Sequence, residues 1–120
     1  MQDKRAEWIA WGLRQLGADS LPSLPPDPYY LWEEGYWALY DLVLDEYANE
    51  YHLDDLVESI NVGDIAIMAA GLALEGFRDK ATKKLLQRFD RRLARLQEQF
   101  PEEPYFVEVH CCPSDADPGL

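Results

Sequence analysis

The stretch that most constrains this chain is residues 79–99. Leu85 or Leu86, Phe89, Leu93, Leu96 and then Phe100 recur at steps of three or four residues, while Lys80, Lys84, Arg88, Arg92 and Arg95 track another face. Side chains at that spacing stack along one side of a 3.6-residue turn, so the pattern predicts an amphipathic helix. A helix with a full apolar stripe gains its stability by burying that stripe against other elements, so the rest of the chain must supply them. Pro101 stops the helix, because proline has no N–H to donate and its ring clashes with the preceding turn.

The covering elements read mostly as further helices. Over residues 3–16, Ala6, Ile9, Leu13 and Leu16 follow the helical repeat, Trp8 and Trp11 widen the stripe, and Gly17 is the expected stop. The connector 17–28 is rich in prolines, which disfavour helix in the residues before them. A second helix is expected from Pro28 to about Tyr51, with Asp27 as its cap, Pro28 as its first residue and Gly35 as an interruption of its first turns. Tyr36, Leu39, Tyr40, Val43, Leu44 and Tyr47 form its broad buried stripe. Asp54 or Asp55 starts a short third helix through Ile60. Asp64 is read as the cap of a fourth over 65–76, on the repeat of Ile65, Met68, Leu72 and Glu75 or Gly76.

After Pro104 the pattern changes. "YFVEVHC" alternates with a period of two, as a strand does. A lone strand leaves its ladder unpaired, so it needs an unrecognised partner segment, a second copy of the chain or another protein's sheet edge. The expected class is thus mainly α, a single-domain bundle of four to five helices over 1–112 with a short C-terminal β-strand, followed by a flexible acidic tail at 113–120. With 48% apolar and 28% charged residues in 120, the composition opposes a disordered chain and suffices for one core.

Charge is distributed in blocks. The net charge is −12, and between Arg14 and Arg78 there is no Lys or Arg but there are thirteen Asp and Glu. Residues 78–95 then hold eight of the eleven basic residues and two acids. Such a balance opposes direct contact with nucleic acid or an anionic membrane, since like charges repel at the encounter distance, and it favours solubility or a basic protein partner. No apolar run is long enough to span a bilayer. The charged, amphipathic start does not read as a signal peptide, so a cytoplasmic location is expected.

The densest part of the acidic window is "LYDLVLDEYANEYHLDDLVES", residues 39–59, with seven acids, three tyrosines, one histidine and no base. Glu34, Asp41, Asp45 and His52 fall on one side of the second helix, and Glu46 and Glu50 form a neighbouring row. Like charges at that spacing destabilise a helix by a few tenths of a kcal/mol per pair, roughly. Two arrangements compete: the basic helix lies beside these acids with the surplus facing water, or the acids form a continuous surface for a partner. Interspersed tyrosines favour the second, because interfaces use aromatic anchors within polar rims.

Sites of chemistry are weakly supported by comparison. A helical carboxylate metal centre uses Glu-x-x-His, whereas Asn49 stands three residues before His52, so Asp45, Asn49 and His52 offer at most a weak divalent site. Cys111 and Cys112 are adjacent, cannot staple distant segments and lack a second ligand cluster beside His110, which fits untied thiols. The serines lack a nucleophile elbow and the glycines form no phosphate loop.

The expectation is therefore a non-catalytic acidic binding or inhibitor protein, without metal or cofactor. Its docking face comprises Glu33, Glu34, Asp41, Asp45, Glu46, Tyr47, Glu50, Tyr51, Asp54, Asp55 and Glu58, and its partner is a basic protein such as a nuclease or another nucleic-acid-binding protein. By charge and size, immunity proteins that neutralise nuclease toxins and inhibitors that imitate DNA offer analogies. The alternatives are a structural, assembly or adaptor homo-oligomer (a homodimer, for instance) joined through residues 104–111, and thirdly a weak metal- or carboxylate-dependent enzyme.

Overall fold

The computed structural model describes residues 4–48 and 53–99. They form five helices: α1 (Arg5–Gln15), α2 (Tyr29–Tyr47), α3 (Leu53–Glu58), α4 (Val62–Ala73) and α5 (Arg78–Gln99). No strand occurs among the described residues, so the protein is mainly helical. The strand expected over 104–111 and the tail 113–120 lie outside them. Among the described residues no helix is long and apolar enough to cross a membrane.

Local chemistry accounts for the helix ends. Gly17, at φ +77, closes α1: its N–H donates to the Arg14 carbonyl at 3.0 Å and the Ala18 N–H donates to that of Leu13 at 3.1 Å. This paired arrangement satisfies carbonyls that the last turn leaves open, and it requires a residue tolerant of left-handed backbone. At the start of α2 the Tyr29 N–H donates to Asp27 Oδ1 at 3.0 Å across Pro28. Asp27 thereby caps from just outside the helix.

Two sequence expectations are corrected here. Asp64 does not cap α4; Asn61 does. The Asn61 side chain accepts from the Asp64 N–H at 3.0 Å, and Asp64 Oδ2 accepts from the Asn61 N–H at 3.3 Å, a reciprocal capping box. The helix therefore begins at Val62 and ends at Ala73, with Gly76 (φ +89) in the turn to α5 and not on the helical repeat. Nor does Gly35 interrupt α2, which runs through it unbroken.

The reason for that glycine lies in packing. α4 is the central element, against which α1, α2 and α5 all pack. Ala66, Ile67, Met68, Ala69, Ala70 and Gly71 are consecutive and buried, as a helix enclosed on several sides requires. A Cβ added at Gly12 of α1 would lie 2.4 Å from the Ala66 carbonyl oxygen, and one at Gly35 of α2 would lie 2.9 Å from the Ala69 nitrogen. Both helices thus rest directly on the backbone of α4. Around this contact Ile9, Leu13, Leu39, Val43, Leu56, Leu85, Phe89 and Leu93 close one hydrophobic core. Full burial of each large side chain among them contributes about 1.5–3 kcal/mol.

Asp64 is the one charged residue in the buried set among the described residues. Its Oδ2 accepts from an Arg92 Nη at 2.9 Å, and its Oδ1 lies 3.3 Å from an Arg88 Nη without an aligned hydrogen bond. Arg92 also donates to Ser59 Oγ at 3.3 Å, and Ser59 Oγ donates to the Leu56 carbonyl at 2.6 Å. One carboxylate therefore ties the start of α4 to α5, and through Arg92 to the end of α3.

Gly12→Ala is expected to lower stability by about 1–3 kcal/mol through overpacking, outweighing a gain in helix propensity of at most about 1 kcal/mol. Urea unfolding checks this: an unchanged or higher midpoint would show that α1 and α4 are not so close. Asp64→Ala removes the box and leaves two half-buried arginines unpaired. It should cost about 3 kcal/mol, the lower end for a broken buried pair because both arginines keep some contact with water. The same titration reads it, and a loss under about 1 kcal/mol, the worth of an exposed pair, would place Asp64 in a water-like environment.

Candidate functional site: an acidic and aromatic ridge on α2

The face that α2 turns toward α4 is set by Leu31, Gly35, Leu39, Val43 and Tyr47, a row of four-residue steps. Because these residues are held on the core, the opposite side of the helix is dictated. Tyr30, Glu33, Glu34, Trp37, Asp41 and Asp45 are all exposed and are related by steps of three, four and seven residues. Trp37 stands at the centre, with Glu33 one turn before it and Asp41 one turn after it. Trp37 is 52% exposed and Tyr30 57%, high values for such large aromatic residues.

The aromatic rings support one another. Trp37 meets Tyr36 edge to face at 5.1 Å and Tyr40 at 5.7 Å, and Tyr36 and Tyr40 stack at 6.4 Å. Tyr36 and Tyr40 are half-buried, so Trp37 rests on a base that is itself anchored. Toward the start of the helix, the Arg5 guanidinium from α1 lies over the Tyr29 ring at 4.2 Å. Arg5, Tyr29, Trp32, Glu33, Tyr36 and Trp37 line a shallow cleft of ≈ 290 Å³ there.

Of the residues expected to meet a partner, the structure gathers Glu33, Glu34, Asp41 and Asp45 on this ridge. Glu46 is exposed but lies off the row, toward the flank of α2. Asp54, Asp55 and Glu58 are exposed on α3, which packs beside α2. Glu50 and Tyr51 lie outside the described residues, as do Asn49, His52 and the His110–Cys112 cluster.

Tyr47, which the sequence placed both in the buried stripe and on the docking face, belongs to the stripe. It is only 7% exposed, and its hydroxyl hydrogen-bonds to Asp90 of α5, with the Leu86 carbonyl 3.5 Å away. Its place in the buried stripe excludes it from an outward-facing surface. Conversely, Trp37 and Tyr30 were absent from the expected docking face. The signal that finds them is their spacing: they lie on the side opposite Leu31, Leu39 and Val43, interleaved with the acids.

Where the basic helix sits decides whether these acids are neutralised within the fold. Two cations on the inner side of α5, Arg88 and Arg92, are turned to Asp64, and Lys84 Nζ donates to the Gln15 carbonyl at 3.0 Å, at the C-terminus of α1. That last contact places a positive charge at the negative end of a helix dipole. Arg78 of α5 lies beside the ridge. With Asp79 and Thr82 it lines a broad cleft of ≈ 630 Å³ whose other wall carries Ala38, Asp41, Leu42 and Asp45. Among the described residues no ion pair closes across that cleft. Nor do three His, Cys, Asp or Glu side chains come together among them as a metal ion would need.

No protein-family model, no curated protein and no solved structure matches this chain. Its function has to be read from the geometry just described.

Tyr47→Phe tests the assignment of that residue to the core. Loss of a hydrogen bond to a charged group should lower stability by about 1.5 kcal/mol, seen as a reduced urea midpoint. An unchanged midpoint would mean that the hydroxyl contributes nothing to the α2–α5 junction.

Proposed function

We propose that this protein is a non-catalytic binding or inhibitor protein whose acidic, aromatic ridge on α2, extended by the acids of α3, docks onto a basic protein surface. The observation that carries this reading is the half-exposed Trp37 set between exposed carboxylates one turn away on either side. An isolated surface Leu or Val needs no explanation, but a tryptophan on a self-supporting aromatic base within a polar rim has the composition of an interface hot spot.

Electrostatics supplies the second half of the mechanism. The ridge lies in a stretch of sequence free of Lys and Arg, and the inner cations of α5 are engaged elsewhere in the fold. No ion pair among the described residues closes on its carboxylates, although Arg5 and Arg78 lie in the clefts beside them. The surplus negative field steers a positively charged surface into orientation before contact. Once contact is made, burial of the Trp37 ring slows dissociation, which is where most affinity differences arise. A basic nuclease or another nucleic-acid-binding protein offers a surface of this kind, and covering it would block its access to phosphate.

The test uses the full chain immobilised as bait in a lysate of the source cell, beside a variant carrying Glu33→Gln, Glu34→Gln, Asp41→Asn and Asp45→Asn. The wild type should retain a basic protein at low ionic strength and release it as salt rises toward the range where the Debye length falls to about 3–8 Å. The variant should retain it at least about tenfold more weakly, in keeping with the several kcal/mol that complementary charges supply. Capture of the same protein by both, with the same salt profile, would exclude the ridge as the docking surface.

A further inference from the structure

We infer that the ridge on α2 selects arginine over lysine, and that its partner segment presents a guanidinium to the exposed Trp37 ring. This deepens the docking proposal above and rests on it. Carboxylates alone attract either cation. What distinguishes this surface is a half-exposed indole one turn from Glu33 and one turn from Asp41.

A guanidinium is planar and weakly hydrated, so it can lie flat on an aromatic face while its edge N–H groups reach carboxylates on either side. A lysine ammonium is compact and strongly hydrated. It can approach the carboxylates but loses more hydration on meeting a ring. The molecule already stacks a guanidinium on an aromatic ring beside the proposed site: Arg5 lies over Tyr29 at 4.2 Å, in a cleft that Trp37 also lines. Arg5 is thus engaged by the Tyr29 ring, and the half-exposed Trp37 lies two turns further along α2, among the acids.

The fold also holds the ring in a fixed position. Tyr36 and Tyr40 pack against Trp37 in T-shaped contacts at 5.1 and 5.7 Å, and both belong to a helix whose inner face is locked on α4. Less side-chain freedom is lost on binding than for an unsupported tryptophan. Beyond Arg95 the sequence carries six acids and no base, so those residues offer no guanidinium to this surface.

The experiment measures fluorescence anisotropy of two labelled peptides of equal length and charge, one with arginines and one with lysines spaced by glycine and serine, against the full chain at fixed salt. The arginine peptide should bind about fivefold more tightly, the worth of a single partly exposed cation–π contact. Trp37→Leu keeps an apolar side chain but removes the π face; it should erase that preference and leave lysine binding within about twofold of wild type. Glu33→Gln with Asp41→Asn should weaken both peptides together. Trp37 is a surface residue, and thermal unfolding verifies that its variant folds. Equal binding of both peptides by wild type, or a preference that survives Trp37→Leu, overturns the arginine assignment while leaving the docking proposal standing. Failure of both peptides to bind at low salt overturns the two together.

Discussion

The close contact of α1 and α2 with the backbone of α4 is the constraint from which the rest of this structure follows. Small residues on both sides of an interface allow helix axes to approach until main-chain atoms touch. At Gly12 and Gly35 nothing larger than hydrogen fits without moving Ala66 or Ala69. A third approach, Gly71 against Ala81, brings α5 onto the same helix. With neighbours on several sides α4 has little surface left for water, so its polar groups must find partners inside the protein. The orientation of α2 is fixed at the same time. Once Gly35 sits on Ala69, rotation of α2 about its axis would drive a side chain into backbone, and Trp37 is held outward.

The second consequence concerns charge. Enclosing α4 buries Asp64 at its first turn, where it completes the capping box and needs compensation. Arg88 and Arg92 provide that from α5. A buried pair of this kind is weak as a source of net stability, because desolvation offsets much of the attraction, but it is specific about which residues face each other. It aligns α5 so that two arginines point inward to α4, while Lys84 reaches the end of α1. Those three cations are thereby engaged away from the carboxylates of α2, whereas Arg78 shares a cleft with Asp41 and Asp45. A folding requirement at one buried aspartate thus takes part of the basic helix out of reach of the anionic surface.

These relations explain which parts could be read from sequence. The repeat through Leu85, Phe89 and Leu93 was legible because hydrophobic and basic residues keep separate faces for five turns, and Gly17 because a helix stop has a local chemical cause. Asn61 was missed as a cap because Asp64 is itself a strong capping residue and Gly63 between them is a poor helix former; only the reciprocal hydrogen bonds separate the two choices. Gly35 looked like a breaker, since the partner that requires it, Ala69, is distant in sequence. α2 was the hardest element. Aromatic residues surround its first half at 29, 30, 32, 36, 37 and 40, so no single stripe stands out. Periodicity put Tyr47 in the buried stripe but did not single out Trp37 as the outward ring among so many aromatics; the contact with α4 makes that choice.

The acidic row on α2 opposes helix formation locally, since Glu33, Asp41 and Asp45 are spaced by whole turns with no lysine between them. A basic residue at position 37 would relieve repulsion on both sides, at a few tenths of a kcal/mol for each pair, roughly. Tryptophan there does nothing for the repulsion and adds exposed apolar area, a second cost in water. Neither feature is needed by the core, which is complete on the other face of the helix through Leu31, Leu39, Val43 and Tyr47. Two locally unfavourable choices on a helix held rigidly by its inner face become favourable together only when something covers the ring and neutralises the carboxylates at once. A cation with a flat, weakly hydrated surface meets both conditions, whereas water meets only one: it solvates the charge and not the ring.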